Sequence, residues 1–251
     1  MTKIGILQGV ISENKNFPYT TWKSEFEKIN DAKVDFLDWI VDSNPISTFH
    51  NFLFSNEFKF KINEGNLKKE IRSVYCSCFD EYNLLLPSSS EKLYKRISIL
   101  EKIMVAAIQN DILQIVIPIF SKEKEVTQKQ IDNIVFILRM SLRNCFHEKQ
   151  KILIETDLDI DSIIEIFHKI DNDQVGLSLK AKTLSTLSFM ELTKIKKYLF
   201  NVTVGNDFEN FIDAFKNLDD LQYNGHYLID DKLFLDKHLN TLFRWCGEEN
   251  K

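Results

Sequence analysis

The stretch Lys151-Ile152-Leu153-Ile154-Glu155-Thr156-Asp157 decides the fold. It is a short apolar run, rich in β-branched residues, that ends in carboxylates, which is typical of a buried strand in a parallel sheet. Upstream of this strand, apolar residues recur at the spacing of one face of a helix: Ile131, Ile134, Val135, Leu138 and Leu142. A helix with one apolar face that leads into a buried strand indicates a β-α-β arrangement.

Eight runs of this kind alternate with helical patterns along the chain, which predicts parallel β-α-β units. The predicted strands are Lys3–Leu7, Val34–Ile40, Ile71–Phe79, Ile112–Ile119, Lys151–Thr156, Gln174–Leu179, Tyr198–Val204 and His226–Ile229. Eight units in 251 residues give about 31 residues each, the size of a β-α repeat. No linker rich in Pro, Gly and Ser divides the chain. We therefore expect an α/β protein with a single (β/α)8 TIM barrel as its one domain, residues 1–251.

Three polar residues are predicted to begin helices, because their side chains accept hydrogen bonds from the first free backbone amides. Thr127 precedes a predicted helix over Gln128–Leu142, Ser90 precedes Glu91, and Asp207 precedes Phe208. These helices would follow the strands and cover the sheet.

Composition excludes several classes of protein. The chain has 32 basic and 37 acidic side chains and a net charge of −5, so it lacks the positive surface that binds nucleic acid. No signal peptide and no membrane span are predicted, and we expect a cytoplasmic protein. The four cysteines lack the density of a disulfide framework and are expected to be reduced thiols in the core.

Active sites of such barrels lie at the carboxyl ends of the strands, so the last polar residues of each strand are the candidates. Glu155 is the strongest candidate, because a carboxylate that ends an apolar strand should point into the barrel mouth. The structural alternative is an ion pair between neighbouring strands. The full set of candidates is Gln8, Asp38, Asp42, Ser77, Asp80, Glu155, Asp157, Lys180, Thr203 and Asp230.

Several short motifs resemble the xylose-isomerase-like TIM-barrel superfamily, specifically its bacterial sugar phosphate isomerase/epimerase group. The resemblance spans nearly the whole chain. It rests on Ile4-Gly5-Ile6-Leu7-Gln8-Gly9, Trp22-Lys23-Ser24-Glu25-Phe26, Phe36-Leu37-Asp38-Trp39, Asn44-Pro45, Ile115-Val116-Ile117-Pro118, Ile154-Glu155-Thr156-Asp157-Leu158 and Tyr223-Asn224-Gly225.

The resemblance implies a divalent metal held by two glutamates, an aspartate and a histidine on strands five to eight. Only Glu155 matches this set unchanged. The aspartate of strand six falls at Lys180, or at Ser178 in a register two residues earlier, the histidine at Thr203, and the last glutamate at Asp230. The family's strand-three aspartate falls at Ser77. The sequence therefore predicts a degenerate metal site with no metal ligands and no cofactor. A divalent metal is expected only if strands six to eight align differently.

Two functions fit these residues. The first is isomerisation or epimerisation of a small carbohydrate by proton transfer without the metal, with Glu155, Lys180 and Asp230 as catalytic residues. In it, Lys180 would stabilise an enediolate or, if its pKa were lowered, form a Schiff base. The second is a catalytically inactive relative that binds carbohydrate or acts as a regulatory or partner protein.

Substrate binding is assigned to the remaining polar residues at the strand ends, which are Gln8, Asp38, Ser77 and Thr203. The expected partner is a small carbohydrate or sugar phosphate, with no nucleic acid and no membrane. The resemblance also implies a homodimer, since relatives often dimerise.

Overall fold

The computed structural model describes residues 2–13, 17–42, 51–81, 83–86, 89–121, 126–145, 147–206 and 208–246. In these ranges the chain forms eight parallel strands that close into a barrel in the order β1 to β8, with β1 hydrogen-bonded to both β2 and β8. The strands are β1 Ile4–Leu7, β2 Phe36–Ile40, β3 Glu70–Tyr75, β4 Gln114–Ile119, β5 Lys151–Thr156, β6 Val175–Lys180, β7 Leu199–Val204 and β8 His226–Ile229. The predicted (β/α)8 barrel is confirmed.

Helices follow the strands and form the outer layer of the barrel. They are α1 Trp22–Asp31, α2 Phe58–Glu64, α3 Cys78–Glu81, α4 Ser90–Gln109, α5 Gln128–Asn144, α6 Ile160–Ile170, α7 Ala181–Ser185, α8 Phe189–Ile195, α9 Phe208–Asp220 and α10 Lys232–Trp245, with 3-10 turns at Phe52–Phe54 and Lys196–Tyr198. None of the helices in the described ranges is both long and apolar enough to cross a membrane.

Strand β3 ends earlier than the sequence pattern predicts. The predicted strand Ile71–Phe79 is extended only to Tyr75, and Cys78 already begins α3. The amide of Cys76 still donates to the carbonyl of Val116 on β4, and the chain then turns. Cysteine and phenylalanine suit both a strand and a buried short helix, so the apolar pattern did not mark this boundary.

The predicted helix caps differ in their outcome. Thr127 caps α5 as predicted, and Gln130 completes a reciprocal capping box with it. Helix α4 is capped by Ser89, whose side chain accepts from the amide of Lys92, whereas Ser90 is the first helical residue. Asp207 lies outside the described residues. All four cysteines are free, with Cys76 and Cys78 buried and the other two half-buried.

The barrel interior is filled in layers by side chains from alternate strands. Tyr75 of β3 and Thr203 of β7 both donate hydrogen bonds to Glu155 of β5, so these three odd-numbered strands meet in one layer. Lys180 of β6 and Asp230, which follows β8, contact each other at the level above it. Alternation along β5 then directs Ile152 and Ile154 away from the interior, toward the helices. The polar layer therefore lies at the carboxyl end of the barrel.

Close packing at the opposite end of the barrel yields the first prediction. Gly5 of β1 pairs with Phe36 of β2, and a Cβ atom at Gly5 would overlap the Phe36 ring. We expect Gly5→Ala to lower the free energy of unfolding by about 1–3 kcal/mol through overpacking. Urea unfolding measures this change.

The double variant Gly5→Ala/Phe36→Leu provides the control, because the smaller side chain makes room for the added methyl group. The loss in free energy of unfolding of this double variant should be smaller than the sum of the losses of Gly5→Ala and Phe36→Leu. Additive costs would show that Gly5 and Phe36 are not in steric contact.

Candidate active site

A cleft of about 910 Å³ opens at the carboxyl end of the barrel. Its wall includes the strand-end residues Gln8, Tyr75, Ser77, Lys180, Thr203 and Asp230. Parallel strands place their carboxyl ends at the same face of the barrel, so residues far apart in sequence meet here. The structure thus brings together six of the polar and aromatic side chains that end the strands.

Glu155 lies directly beneath the cleft floor. Its side chain is only 1% exposed. The Tyr75 hydroxyl donates to Glu155 Oε1 at 3.2 Å, and the Thr203 hydroxyl donates to Oε2 at 3.1 Å. A buried carboxyl group with a donor on each oxygen is held in one orientation.

Lys180 joins this buried carboxyl to a second one. Its ammonium Nζ is 3.7 Å from Glu155 Oε1 and 3.6 Å from Asp230 Oδ2. The side chains of Lys180 and Asp230 are 41% and 24% exposed, so both reach the cleft. Lys180 Nζ also lies 5.2 Å from the ring centre of Phe120, within range of a cation–π contact. Glu155 thus takes part in an ion pair with Lys180 on the neighbouring strand β6, which is the structural alternative that the sequence left open for Glu155, and Asp230 extends this pair.

Burial shifts the acid–base behaviour of all three groups. It raises the pKa of Glu155 from 4.5 to about 7, and Asp230 adds to the rise while Lys180, Thr203 and Tyr75 oppose it. The pKa of Asp230 is also raised by burial, against the attraction of Lys180. Burial alone would lower the pKa of Lys180, but Glu155 and Asp230 outweigh it and the pKa is raised. Lys180 consequently remains an ammonium at neutral pH, while Glu155 titrates near neutrality.

Gln8 and Ser77, two of the predicted substrate-binding residues, line the cleft. Gln8 follows β1, and its Oε1 accepts from the amide of Ile40 at 3.2 Å. Its Nε2 is buried and has no hydrogen-bond partner in the described part of the chain. Ser77 lies in the turn after β3 and donates to the carbonyl of Val41 at 3.3 Å. Gln8 therefore keeps an unused donor at the cleft.

Asp38 lies deeper than the other predicted substrate-binding residues. It is within β2, fully buried, and pairs in register with Ser73 on β3. Neither of its carboxylate oxygens has a hydrogen-bond partner among the described residues. Burial raises the pKa of Asp38 to about 6, while Ser73 and the positive charge of Arg72 act to lower it. The structure does not place Asp38 in the cleft wall.

Tyr75 belongs to the site although the sequence analysis did not select it. The strand was predicted to extend to Phe79, so Ser77 was taken as the polar residue near its carboxyl end. Tyr75 is two residues before Ser77, so in the predicted strand Ile71–Phe79 the two residues share one face. An amphipathic residue on the inward face, next to the true strand end, was the signal that could have found it.

The side chains of this site do not suit a divalent metal. An ammonium has no lone pair to coordinate a cation, and Lys180 lies between the two carboxylates that could. Within the described ranges, no three His, Cys, Asp or Glu side chains are grouped to hold a metal ion. The donor set is therefore that of an internal ion-paired site.

Comparison with known proteins identifies the class of barrel. No protein-family model and no curated protein matches the sequence. The IolI protein, crystallised with a zinc atom, superimposes with a TM-score of 0.71 at 12% identity over 100% of both chains. A D-tagatose 3-epimerase-like protein superimposes with a TM-score of 0.71 at 18% identity over 98% of this chain and 97% of the other.

The 3-keto-D-glucoside 4-epimerase of E. coli gives a TM-score of 0.67 at 14% identity over 98% of this chain and 100% of the other. The chain thus has the same barrel fold as these proteins and as a xylose isomerase domain protein from Planctomyces limnophilus, which is the fold that the resemblance predicts. At these identities the likeness establishes the fold.

The raised pKa of Glu155 predicts how stability depends on pH. A buried acid favours its protonated form, so its stabilising contribution is complete below pH 4.5 and is lost as the pH rises to about 7. The loss corresponds to about 3 kcal/mol. We expect Glu155→Gln, which does not titrate, to gain stability relative to the native chain by an amount of this order between pH 4.5 and 8, measured by urea unfolding.

Glu57→Gln is the matched control, because Glu57 is an exposed glutamate at the start of α2. The pH-dependent gain in stability of Glu155→Gln should exceed any that this control shows. If the Glu155→Gln curve ran parallel to the native one, burial would not control the ionisation of Glu155.

Proposed function

We propose that this cleft isomerises or epimerises a small carbohydrate by moving a proton between adjacent carbons, without a divalent metal. The observation that carries the proposal is the ammonium of Lys180 between two carboxyl groups whose pKa values are raised. Proton transfer next to a carbonyl is favoured by a base of raised pKa and by a positive charge beside the oxygen that becomes negative. These residues supply both.

Lys180 provides the positive charge. Deprotonation beside a carbonyl leaves an enediolate, and an ammonium directed at its oxygen stabilises that charge in a cleft where water is partly excluded. Because the pKa of Lys180 is raised, the amine keeps its proton, which favours this electrostatic role over a Schiff base.

Asp230 is the carboxylate that contacts the substrate. It is the more exposed of the two carboxyl groups and lines the cleft, whereas Glu155 is covered. It packs closely against Gly205, where a Cβ atom would overlap Asp230 Oδ1. A base of raised pKa at this place removes the carbon-bound proton and, in isomerisation, returns it to the neighbouring carbon on the same face. In epimerisation the proton on Asp230 passes to water, and water in the cleft protonates the opposite face of the enediolate.

Glu155 acts through Tyr75. The Tyr75 hydroxyl lines the cleft and donates to Glu155 Oε1, so a substrate hydroxyl bound to the Tyr75 oxygen can pass a proton inward as Tyr75 releases its own. Burial raises the pKa of Tyr75, which disfavours a free tyrosinate and requires the two transfers to be concerted. Gln8 Nε2 and the Thr203 hydroxyl remain to orient other sugar oxygens.

Non-catalytic carbohydrate binding is the second candidate. It is favoured by the burial of Glu155, because a side chain that is 1% exposed and is contacted by Lys180 and Tyr75 does not reach a ligand in the cleft directly. A cleft of this kind would bind a sugar and leave its C–H bonds intact.

Solvent-proton exchange separates the two functions. The protein is incubated in D2O and EDTA with D-fructose, D-tagatose or D-allulose, and deuterium at the carbons is followed by NMR. We expect exchange on at least one sugar, reduced about 100-fold or more in Asp230→Asn and Lys180→Met. Tyr75→Phe should lower the rate less and change its pH profile, because Glu155 loses a donor.

Lys59→Met is the control for loss of a lysine, because Lys59 forms an exposed ion pair with Asp111 on the outer layer. It should exchange at the native rate. A sugar that binds with neither deuterium exchange nor conversion to an isomeric sugar in the NMR spectrum, in the native chain as in the variants, would contradict catalysis and leave the binding function.

A further inference from the structure

We infer that the cleft takes an unphosphorylated, uncharged carbohydrate, and that Asp230 and Asp231 reject phosphate esters. This inference rests on the proposed carbohydrate site and names its substrate class. It follows from where the described charges lie around the cleft.

Acidic residues outnumber lysines in the described cleft wall by four to three. The acidic residues of the wall are Glu13, Asp80, Asp230 and Asp231, with Glu155 beneath them. Of the lysines, Lys180 is held between Glu155 and Asp230, and Lys232 contacts Glu13 at 3.0 Å. Among the described wall residues, Lys182 is the lysine for which no ion pair is seen. A dianionic phosphate would therefore meet net negative charge.

The place where such barrels usually hold a phosphate is already filled by carboxylates. Phosphate groups bind at the loops after β7 and β8 and at a helix N-terminus. Here helix α10 follows β8, and the side chain of Asp231 caps it by accepting from the amide of Phe234 at 3.0 Å. Asp230 packs against Gly205 in the loop after β7. Both anion-binding positions thus carry a negative charge of the protein.

The remaining surface suits a neutral polyol. Gln8 Nε2 is a buried donor without a partner, and Thr203 and Asp230 offer oxygen atoms to sugar hydroxyls. Phe120 and Leu233 add apolar surface, and the Leu233 side chain is 48% exposed. A sugar combines hydroxyl groups with apolar C–H faces, so it can satisfy both kinds of surface without adding charge.

Matched sugar pairs test the inference. Binding of D-fructose and D-fructose 6-phosphate, and of D-allulose and its 6-phosphate, is measured by calorimetry at low and high salt. We expect each phosphate ester to bind at least about tenfold more weakly than its free sugar, with the gap narrowing as salt screens the repulsion.

Asp231→Asn locates the effect. Asparagine keeps the helix cap, since it is as good an N-cap residue as aspartate, and removes only the charge. In this variant the ratio between the affinities of the free sugar and its phosphate ester should fall about threefold or more. Asp236→Asn, an exposed position farther along α10, should leave the gap as it is.

The outcomes separate the inference from the function on which it rests. A phosphate ester that binds as tightly as its free sugar, or more tightly, overturns the inference and leaves the proton-transfer function standing. Free sugars that bind more tightly than their esters but undergo neither solvent-proton exchange nor conversion to an isomer overturn the proton-transfer function and leave the inference standing. If neither member of any pair binds, both are overturned.

Discussion

The structure of the cleft depends on the position of one ammonium group. Lys180 Nζ lies within 4 Å of both Glu155 and Asp230, and removing it would leave two carboxyl groups close together in a poorly solvated place. Breaking such a pair by removing one partner is costly, because a buried charge is left uncompensated. The same lysine provides the positive charge that the proposed reaction needs. Stability and chemistry at the barrel mouth therefore depend on a single side chain.

Side chains from several strands of the barrel form this site in two layers. Odd-numbered strands supply Tyr75, Glu155 and Thr203 as the floor of the cleft, and the even-numbered strands supply Lys180 and Asp230 above it. Tyr75, Glu155, Lys180 and Thr203 lie on strands and Asp230 directly follows one, and groups held by rigid elements are placed more precisely than groups on loops. The cost is that Glu155 is covered, so its proton has to pass through Tyr75.

The strand pattern was strong enough in the sequence to predict the fold. Lys151–Thr156 and His226–Ile229 were predicted with their observed bounds, because a polar or turn residue flanks each apolar run. The end of β3 was not, because Cys76 and Phe79 continue the apolar run into a short helix. Because the strand was predicted to extend four residues too far, Tyr75 was not recognised as a residue at its carboxyl end. Its hydrogen bond to Glu155 joins residues 80 positions apart, and local sequence patterns carry no information about such a contact.

Metal binding to the native chain tests most directly whether Lys180 takes the place of a divalent cation. The protein is treated with EDTA, dialysed, and titrated with Mn²⁺, Mg²⁺, Co²⁺ and Zn²⁺ while thermal unfolding and bound metal are measured. The ion-paired site predicts no stoichiometric ion and no increase in unfolding temperature. One bound ion per chain, with stabilisation that Glu155→Ala abolishes, would contradict the account and return Glu155 to the role of a metal ligand.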